Sequence, residues 1–229
     1  MNNSKKAVVL FSGGLDSTTV LVYALKQGYD VWPLTFSYGQ RHAIEIKQSE
    51  KTLEKYGLLN RQTIFSIDLT PFVNCSLINK NLEVPEFAEN RIPSTYVPSR
   101  NLIFLSVASG FAETLGAEKI FIGVNSVDYS GYPDCRPEFV EAFNKTIAVG
   151  TKQGVESGIE VVAPILNMSK KEIIELGMSL GVDYSLTHSC YNPTPDGLSC
   201  GICDSCRLRL EGFRQAGFTD PLKYADKLK

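Results

Sequence analysis

Residues 8–19 read VVLFSGGLDSTT, an apolar run that breaks into serine and two glycines, then an acid, then three hydroxyl side chains. Residues 6–11 predict a buried strand, and residues 17–27 predict a helix that Gly28 ends. In doubly wound sheets ligands bind outside the carboxyl ends of the strands, and the first strand-to-helix turn is the prime position. Gly13 and Gly14 let backbone N–H groups approach an anion closely, while Ser12, Ser17, Thr18 and Thr19 add hydroxyl donors. The following helix aims the positive end of its dipole at the same point. No lysine follows the glycines, so the stretch is not G-x-x-x-x-G-K-[ST], and it is not G-x-G-x-x-G either. A glycine-rich turn with ordinary capping serines is the plainer reading, but strand, turn and helix fall in the order an anion site requires.

The alternation continues along the chain. Strands are expected at 30–36, 61–68, 119–123 and 159–163, and helices at 43–56, 101–115 and 137–150. Ser169 to Glu172, reading SKKE, opens a further helix as a capping box. Strands alternating with helices imply an α/β fold, a parallel doubly wound sheet. Residues 71–100 carry four prolines and are expected to run irregularly over the site. The division expected is a nucleotide-binding α/β domain over 1–183 and a metal-binding C-terminal segment over 184–229.

Hydrophobic residues make up 43% of the 229, enough for a core, and the net charge of −2 argues against a protein that grips long nucleic acid. No stretch approaches the roughly 20 apolar residues of a membrane span. The opening MNNSKKAVVLF has too short an apolar run for a signal peptide, so a cytoplasmic protein with neither membrane nor nucleic-acid partner is expected.

Cys190, Cys200, Cys203 and Cys206 are spaced C-x9-C-x2-C-x2-C. Four thiolates suit tetrahedral zinc, and closely spaced pairs preorganise half the shell. Disulfides are disfavoured in a reducing compartment. An iron–sulfur cluster is the rival, since C-x2-C-x2-C also begins a ferredoxin run, although the following C-P is missing. His188 could substitute as a ligand. Cys75 is read as packing, and Cys135 stands isolated.

FSGGLDSTT resembles the S-G-G-x-D-S loop of the PP-loop ATP pyrophosphatases, whose members include GMP synthetases, NAD synthetases and tRNA-thiolating enzymes. The resemblance implies that ATP is split between its α and β phosphates and that the loop holds pyrophosphate as a leaving group. Phe11, Ser12, Gly13, Gly14, Leu15, Asp16, Ser17, Thr18, Thr19, Val20 and Leu21 would then bind ATP. Asp16, Ser12 and Ser17 would be catalytic, with Asp16 facing the phosphates through Mg²⁺. Arg41 and Arg100 follow a strand and precede a helix, where a guanidinium could reach phosphates; surface charge is the alternative, nearly as strong for Arg41.

Adding FSYGQRHAIE, VPSRN, GVNSVDYSGYPDCRPEF and the cysteine run, nearly the full length resembles the 7-cyano-7-deazaguanine synthase family of the queuosine pathway. That resemblance implies a zinc-containing homodimeric ligase that uses Mg²⁺-ATP to convert 7-carboxy-7-deazaguanine and ammonia to the 7-cyano compound. With 229 residues leaving no room for a glutaminase domain, the nitrogen source is expected to be free ammonia. The loop after the fourth strand is the expected reader of the base: Asp128 or Asp134 accepting from its N–H edge, Tyr129 and Tyr132 stacking, Arg136 neutralising an anion. A polar loop closed by Pro133 is the alternative. Two other functions stay open, a tRNA-thiolating enzyme with a cysteine-bound cluster and a non-catalytic nucleotide-binding module.

Overall fold

The computed structural model describes residues 5–39, 44–72, 74–79, 81–84, 92–127 and 131–225. Asp128, Tyr129 and Arg41 lie outside them. Five strands, β1 (Lys6–Leu10), β2 (Asp30–Ser37), β3 (Thr63–Ser66), β4 (Lys119–Phe121) and β5 (Glu160–Val162), form one sheet in the order β3-β2-β1-β4-β5. Every pairing is parallel, with Ala7 level with both Val31 and Lys119. β1 is therefore central, and the strand order reverses beside it, which opens a crevice at its carboxyl end.

The helices are α1 (Leu15–Lys26), α2 (Ile44–Lys55), α3 (Arg100–Leu115), α4 (Pro137–Gly150), α5 (Lys152–Glu156), α6 (Lys170–Leu180) and α7 (Asp204–Gln215). Alternation along β1 divides them into two layers. Val8 and Leu10 face Leu105, Ala108 and Ala112 of α3 with Val140 and Phe143 of α4. Ala7 and Val9 face Val20, Leu21 and Ala24 of α1, Ile173 and Ile174 of α6, and Phe213 of α7. At one edge Asn144 imitates a further strand: its Oδ1 accepts from Val161 N (2.7 Å) and its Nδ2 donates to Val161 O (3.0 Å).

The doubly wound parallel sheet is as expected, and the Ser169–Glu172 capping box is present in both directions. The differences are local. α1 begins at Leu15, not residue 17, because Gly14 caps it with extended backbone. α3 begins at Arg100, so that arginine belongs to the helix. α7 was not anticipated, because its charged sequence DSCRLRLEGFRQ carries a weak apolar stripe behind the cysteines.

Several bonds tie residues after 183 to the first half of the chain. His188 N donates to Gly13 O (2.9 Å), Leu15 N donates to Ser189 Oγ (3.1 Å), and Thr52 Oγ1 donates to Leu186 O (2.9 Å). Arg209 of α7 is buried and donates to Tyr184 O, to Thr187 Oγ1 and to both oxygens of Asp220.

Candidate active site

The turn between β1 and α1 is shaped by its glycines. Gly13 has φ +79°, and a Cβ there would stand 3.0 Å from the backbone of Ser49. Only glycine meets both conditions without strain. The serines then lock the turn: Ser12 Oγ accepts from Gly14 N (3.3 Å) and lies 3.1 Å from Ser17 Oγ, which donates to Gly14 O (3.2 Å). Gly123, past β4, packs against this start of α1; a Cβ there would meet Ser17 N at 3.2 Å. The result is a helix N-terminus open to a cavity of about 270 Å³.

Asp16 supplies the carboxylate and α6 supplies its counter-ion. Lys170 Nζ donates to Oδ1 (2.7 Å) and Oδ2 (2.9 Å) of Asp16, with the Lys170 side chain 8% exposed and that of Asp16 26%. A lysine does stand beside the glycine turn, but it comes from 154 residues away. Sequence reasoning missed it because SKKE was read for its serine and glutamate. The signal was that a cation in the first turn of a helix opposes the dipole and needs another reason to be there.

The opposite wall is aromatic. Phe36 of β2 and Phe104 of α3 stack with centroids 3.9 Å apart at 3°. Tyr38, Tyr132, Cys135, Tyr191 and Arg100 share the lining. Tyr132 is held by Thr95, whose Oγ1 is 2.6 Å from its hydroxyl, and by stacking with Tyr96. Burial raises the Tyr132 pKa and pushes the Cys135 thiol up to about 12, so neither ionises near neutrality. Burial opposes the Arg100 charge, and Tyr38, Cys135, Tyr132 and Tyr191, once ionised at high pH, hold its pKa above the ordinary arginine value.

The four cysteines converge as expected. Their Sγ atoms lie within 4.8 Å of one another and all four residues are buried and free of disulfides. Zinc–sulfur bonds of about 2.3 Å in a tetrahedron place sulfurs about 3.8 Å apart, so the set fits a metal. Cys200 N (3.2 Å) and Asn192 N (3.4 Å) donate to Cys190 Sγ, and Cys203 N donates to Cys200 Sγ (3.4 Å). Such N–H donors favour thiolates, and Cys203, chiefly through Cys190, is held down to about 7. Four ionised sulfurs this close repel unless a cation sits among them. His188 lines the cavity rather than joining the sulfurs.

Residues 6–217 match the model of the family described as queuosine biosynthesis protein QueC. The chain belongs to that family. It is 53% identical over 228 residues to the 7-cyano-7-deazaguanine synthase of Geotalea daltonii, covering 98% of this chain and 99% of the relative. The synthase of Syntrophotalea carbinolica is 52% identical over 230 residues, covering 99% of each. Among solved structures, the NMN synthetase of Francisella tularensis superposes with TM-score 0.50 at 16% identity, covering 95% of this chain and 79% of that one. A predicted subunit of tRNA methyltransferase from Methanocaldococcus jannaschii gives 0.51 at 14% identity, covering 97% and 94%. At such identities the two structures bear on the fold alone.

Within this family member, Phe11, Ser12, Gly14, Leu15, Asp16, Ser17 and Arg100 of the expected nucleotide set line the cavity. Gly13 stands behind the turn, and Thr18, Thr19, Val20 and Leu21 are buried in the body of α1. Thr19 Oγ1 donates to Leu15 O and meets the Tyr184 hydroxyl at 2.8 Å. Of the expected base readers, Tyr132 lines the cavity and Arg136 is exposed outside it. Asp134 is buried, with Oδ2 accepting from Asn101 N (3.0 Å) and its carbonyl from Asn101 Nδ2 (3.1 Å). Ser189, Tyr191, Arg209 and Lys170 are cavity residues that sequence reasoning did not single out. They come from distant segments, and only the lysine left a local trace.

Proposed function

We propose that this chain is an ATP-dependent carbon–nitrogen ligase that converts 7-carboxy-7-deazaguanine and ammonia to the 7-cyano-7-deazaguanine of its relatives' names. The observation that carries this is one cavity joining an anion-binding helix N-terminus, with its Asp16–Lys170 pair, to a wall of stacked aromatic rings. Two flat heterocycles, adenine and deazaguanine, suit such walls, and a triphosphate suits the turn between them.

A carboxylate resists amines until one oxygen becomes a leaving group. Attack of the substrate carboxylate on the α-phosphorus gives an acyl-adenylate and releases pyrophosphate. Ammonia displaces AMP to give the amide and a proton. Attack of the amide oxygen on a second ATP gives the imidate adenylate and a second pyrophosphate, and loss of AMP and a proton leaves the nitrile. In both rounds the Ser12–Ser17 turn would hold the β and γ phosphates through backbone N–H groups and hydroxyls. Lys170, shared between Asp16 and the phosphates, would steady the charge that builds on the leaving pyrophosphate. Asp16 would hold magnesium, which when bound supplies charge neutralisation across those phosphates. Cys190, Cys200, Cys203 and Cys206 would hold structural zinc, since four protein ligands close the shell.

The same reading has the protein acting as a homodimer in the cytoplasm, on small molecules alone. The net charge of −2 and the lack of any helix long and apolar enough to cross a membrane, among the described residues, support it. Incubation with Mg²⁺-ATP, ammonium and 7-carboxy-7-deazaguanine, followed by mass spectrometry, is the test. The nitrile should appear with two AMP and two pyrophosphate per product. Binding of ATP without AMP formation would mark a non-catalytic module, and stoichiometric iron with acid-labile sulfide would favour sulfur transfer.

A further inference from the structure

Arg100 differs from the two other cations that line the cavity, of which Arg209 is paired with Asp220. Lys170 is paired with Asp16, whereas Arg100 has no ion pair among the described residues, although Asp134 lies close enough to its helix to bond the next residue. The Asp134 carboxylate accepts from the backbone N–H of Asn101, and the Asn101 amide donates back to the Asp134 carbonyl. The groups that act most strongly on Arg100 are Tyr38, Cys135, Tyr132 and Tyr191, none of them on the glycine turn. Tyrosine and thiol at neutral pH are uncharged, so they surround the guanidinium without neutralising it.

The backbone before it is strained. Ser99 has φ +57°, the one positive φ on a non-glycine residue among those described. As N-cap of α3 it makes no side-chain bond to the helix. A left-handed serine that does not cap costs energy, and such strain persists where the surroundings impose it, typically at ligand sites. Arg100 follows this serine directly as the first residue of α3. A cation there opposes the helix dipole. A guanidinium with no ion pair among the described residues, set in an aromatic lining, suits a bound anion at the α3 end.

We infer that Arg100 recognises the carboxylate of the deazaguanine substrate and is the residue by which the site favours the acid over its amide. This rests on the reaction proposed above and departs from the phosphate role expected for Arg100 from the sequence. The planar guanidinium matches a carboxylate with two parallel N–H···O bonds. The amide offers one carbonyl oxygen and an NH₂ that cannot accept, so it loses half of that grip. Each oxygen so held keeps a second lone pair, and with one of these the carboxylate attacks the α-phosphorus.

The test measures binding of three ligands, 7-carboxy-7-deazaguanine, 7-amido-7-deazaguanine and Mg²⁺-ATP, by calorimetry to the wild type, Arg100→Ala and Arg100→Lys. Arg100→Ala should weaken the acid at least about tenfold, as for a lost charge-assisted bond, and the amide by less than about threefold. Arg100→Lys, which keeps charge but loses the fork, should fall between. An unchanged ATP Kd would show that the variants fold. Added guanidinium should restore part of the acid's affinity in Arg100→Ala, which a merely structural arginine would not allow. A weakened ATP Kd with the acid unaffected would return Arg100 to the phosphates and overturn the inference, as would equal losses for acid and amide. The proposed reaction fails separately, through absence of nitrile from the wild type.

Discussion

Two helices, α1 and α3, point their N-termini at the same cavity, and they are built in opposite ways. α1 carries an acid in its first turn, where the dipole favours it, and that acid is matched by Lys170. Its turn is made from contiguous residues, Ser12 to Ser17, held by their own hydroxyls. α3 carries an arginine in its first turn, where the dipole opposes it, behind a left-handed serine, and is capped by a carboxylate 33 residues away. The α1 end is a turn made from one stretch of chain, which the 188–189 segment buttresses. The α3 end is assembled from residues far apart in sequence, and its arginine has no ion pair among the described residues. A site with one end of each kind can hold a common co-substrate by a portable motif and read a particular substrate by residues that the rest of the fold brings together.

The largest test of this contrast concerns the cysteines, because their segment bonds directly to the glycine turn of the α1 end. Leu15 N rests on Ser189 Oγ, His188 N on Gly13 O, and Cys190 follows directly. Apparent metal-binding energies in small zinc sites reach about 10–16 kcal/mol at neutral pH, so losing the metal should release the 188–206 segment. Cys203→Ser, or chelation of the wild type, is expected to weaken ATP binding by well over tenfold, while far-ultraviolet circular dichroism keeps the signal of the sheet and helices. Metal analysis should find about one zinc per chain and no sulfide. An unchanged ATP Kd in metal-free protein would mean that the α1 cradle stands without its C-terminal support.

The next effect lies within the cradle. Asp16→Asn keeps the shape and removes the charge. Loss of one positioned electrostatic group typically costs about 2.7–4 kcal/mol in the transition state, a fall in kcat of about 10²–10³. Magnesium dependence should flatten with it, and Lys170, no longer facing the Asp16 charge, should hold ATP at least as well as before. Wild-type turnover in Asp16→Asn would take the metal role away from this carboxylate.

What could be read from the sequence follows the same division. Where neighbours in sequence are neighbours in space, most of the reading worked, as in the glycine turn, the strand–helix alternation, the capping box and the convergence of four cysteines; α7 is the exception. Residues that meet only through the fold were opaque. Lys170 reaches Asp16 because α6 packs on α1; Tyr191 reaches the cavity from a loop with no periodicity to follow, and Arg209 from α7. Asp134 carried the right residue type for a base reader, yet the fold turns it onto a helix N–H. One signal was available and general: Arg100 and Lys170 both open helices, where a cation is disfavoured, and both line the cavity.

Asp134 gives a smaller and sharper test of the α3 end. Removing the acceptor of a buried N–H costs about 1–3 kcal/mol. Asp134→Ala should lower the free energy of unfolding by that amount and raise substrate KM through a displaced Arg100. Asp134→Asn keeps an oxygen for Asn101 N and should recover most of the stability in urea titrations. If Asp134→Asn were fully stable yet lost substrate binding as completely as the alanine variant, the carboxylate itself would be touching substrate.

The smallest expected effect belongs to the support behind the α1 end. Lys55 Nζ lies 2.5 Å from Asp183 Oδ2, joining α2 to the start of the segment that carries His188 and Ser189, with side chains 45% and 33% exposed. The hydrogen bond from Lys55, then those from Ser185, hold the Asp183 carboxyl below the usual range, and the same bond raises Lys55. A depressed carboxyl contributes stability that is complete above its unfolded pKa, about 3.9, and is lost as pH falls through the folded value. The raised lysine contributes below about 10.4 and loses its share as pH rises through its folded value. Both are half in solvent, so screening leaves the pair under about 1 kcal/mol. Asp183→Asn retains an oxygen for the Ser185 N–H, at 3.0 Å in the wild type, and so isolates the charge. Urea titrations should show a gap between wild type and Asp183→Asn that is steady from about pH 5 to 9, closes below pH 4 and shrinks in high salt. A gap that persists at pH 3 would assign the effect to packing, and would place this end of the support on shape rather than charge.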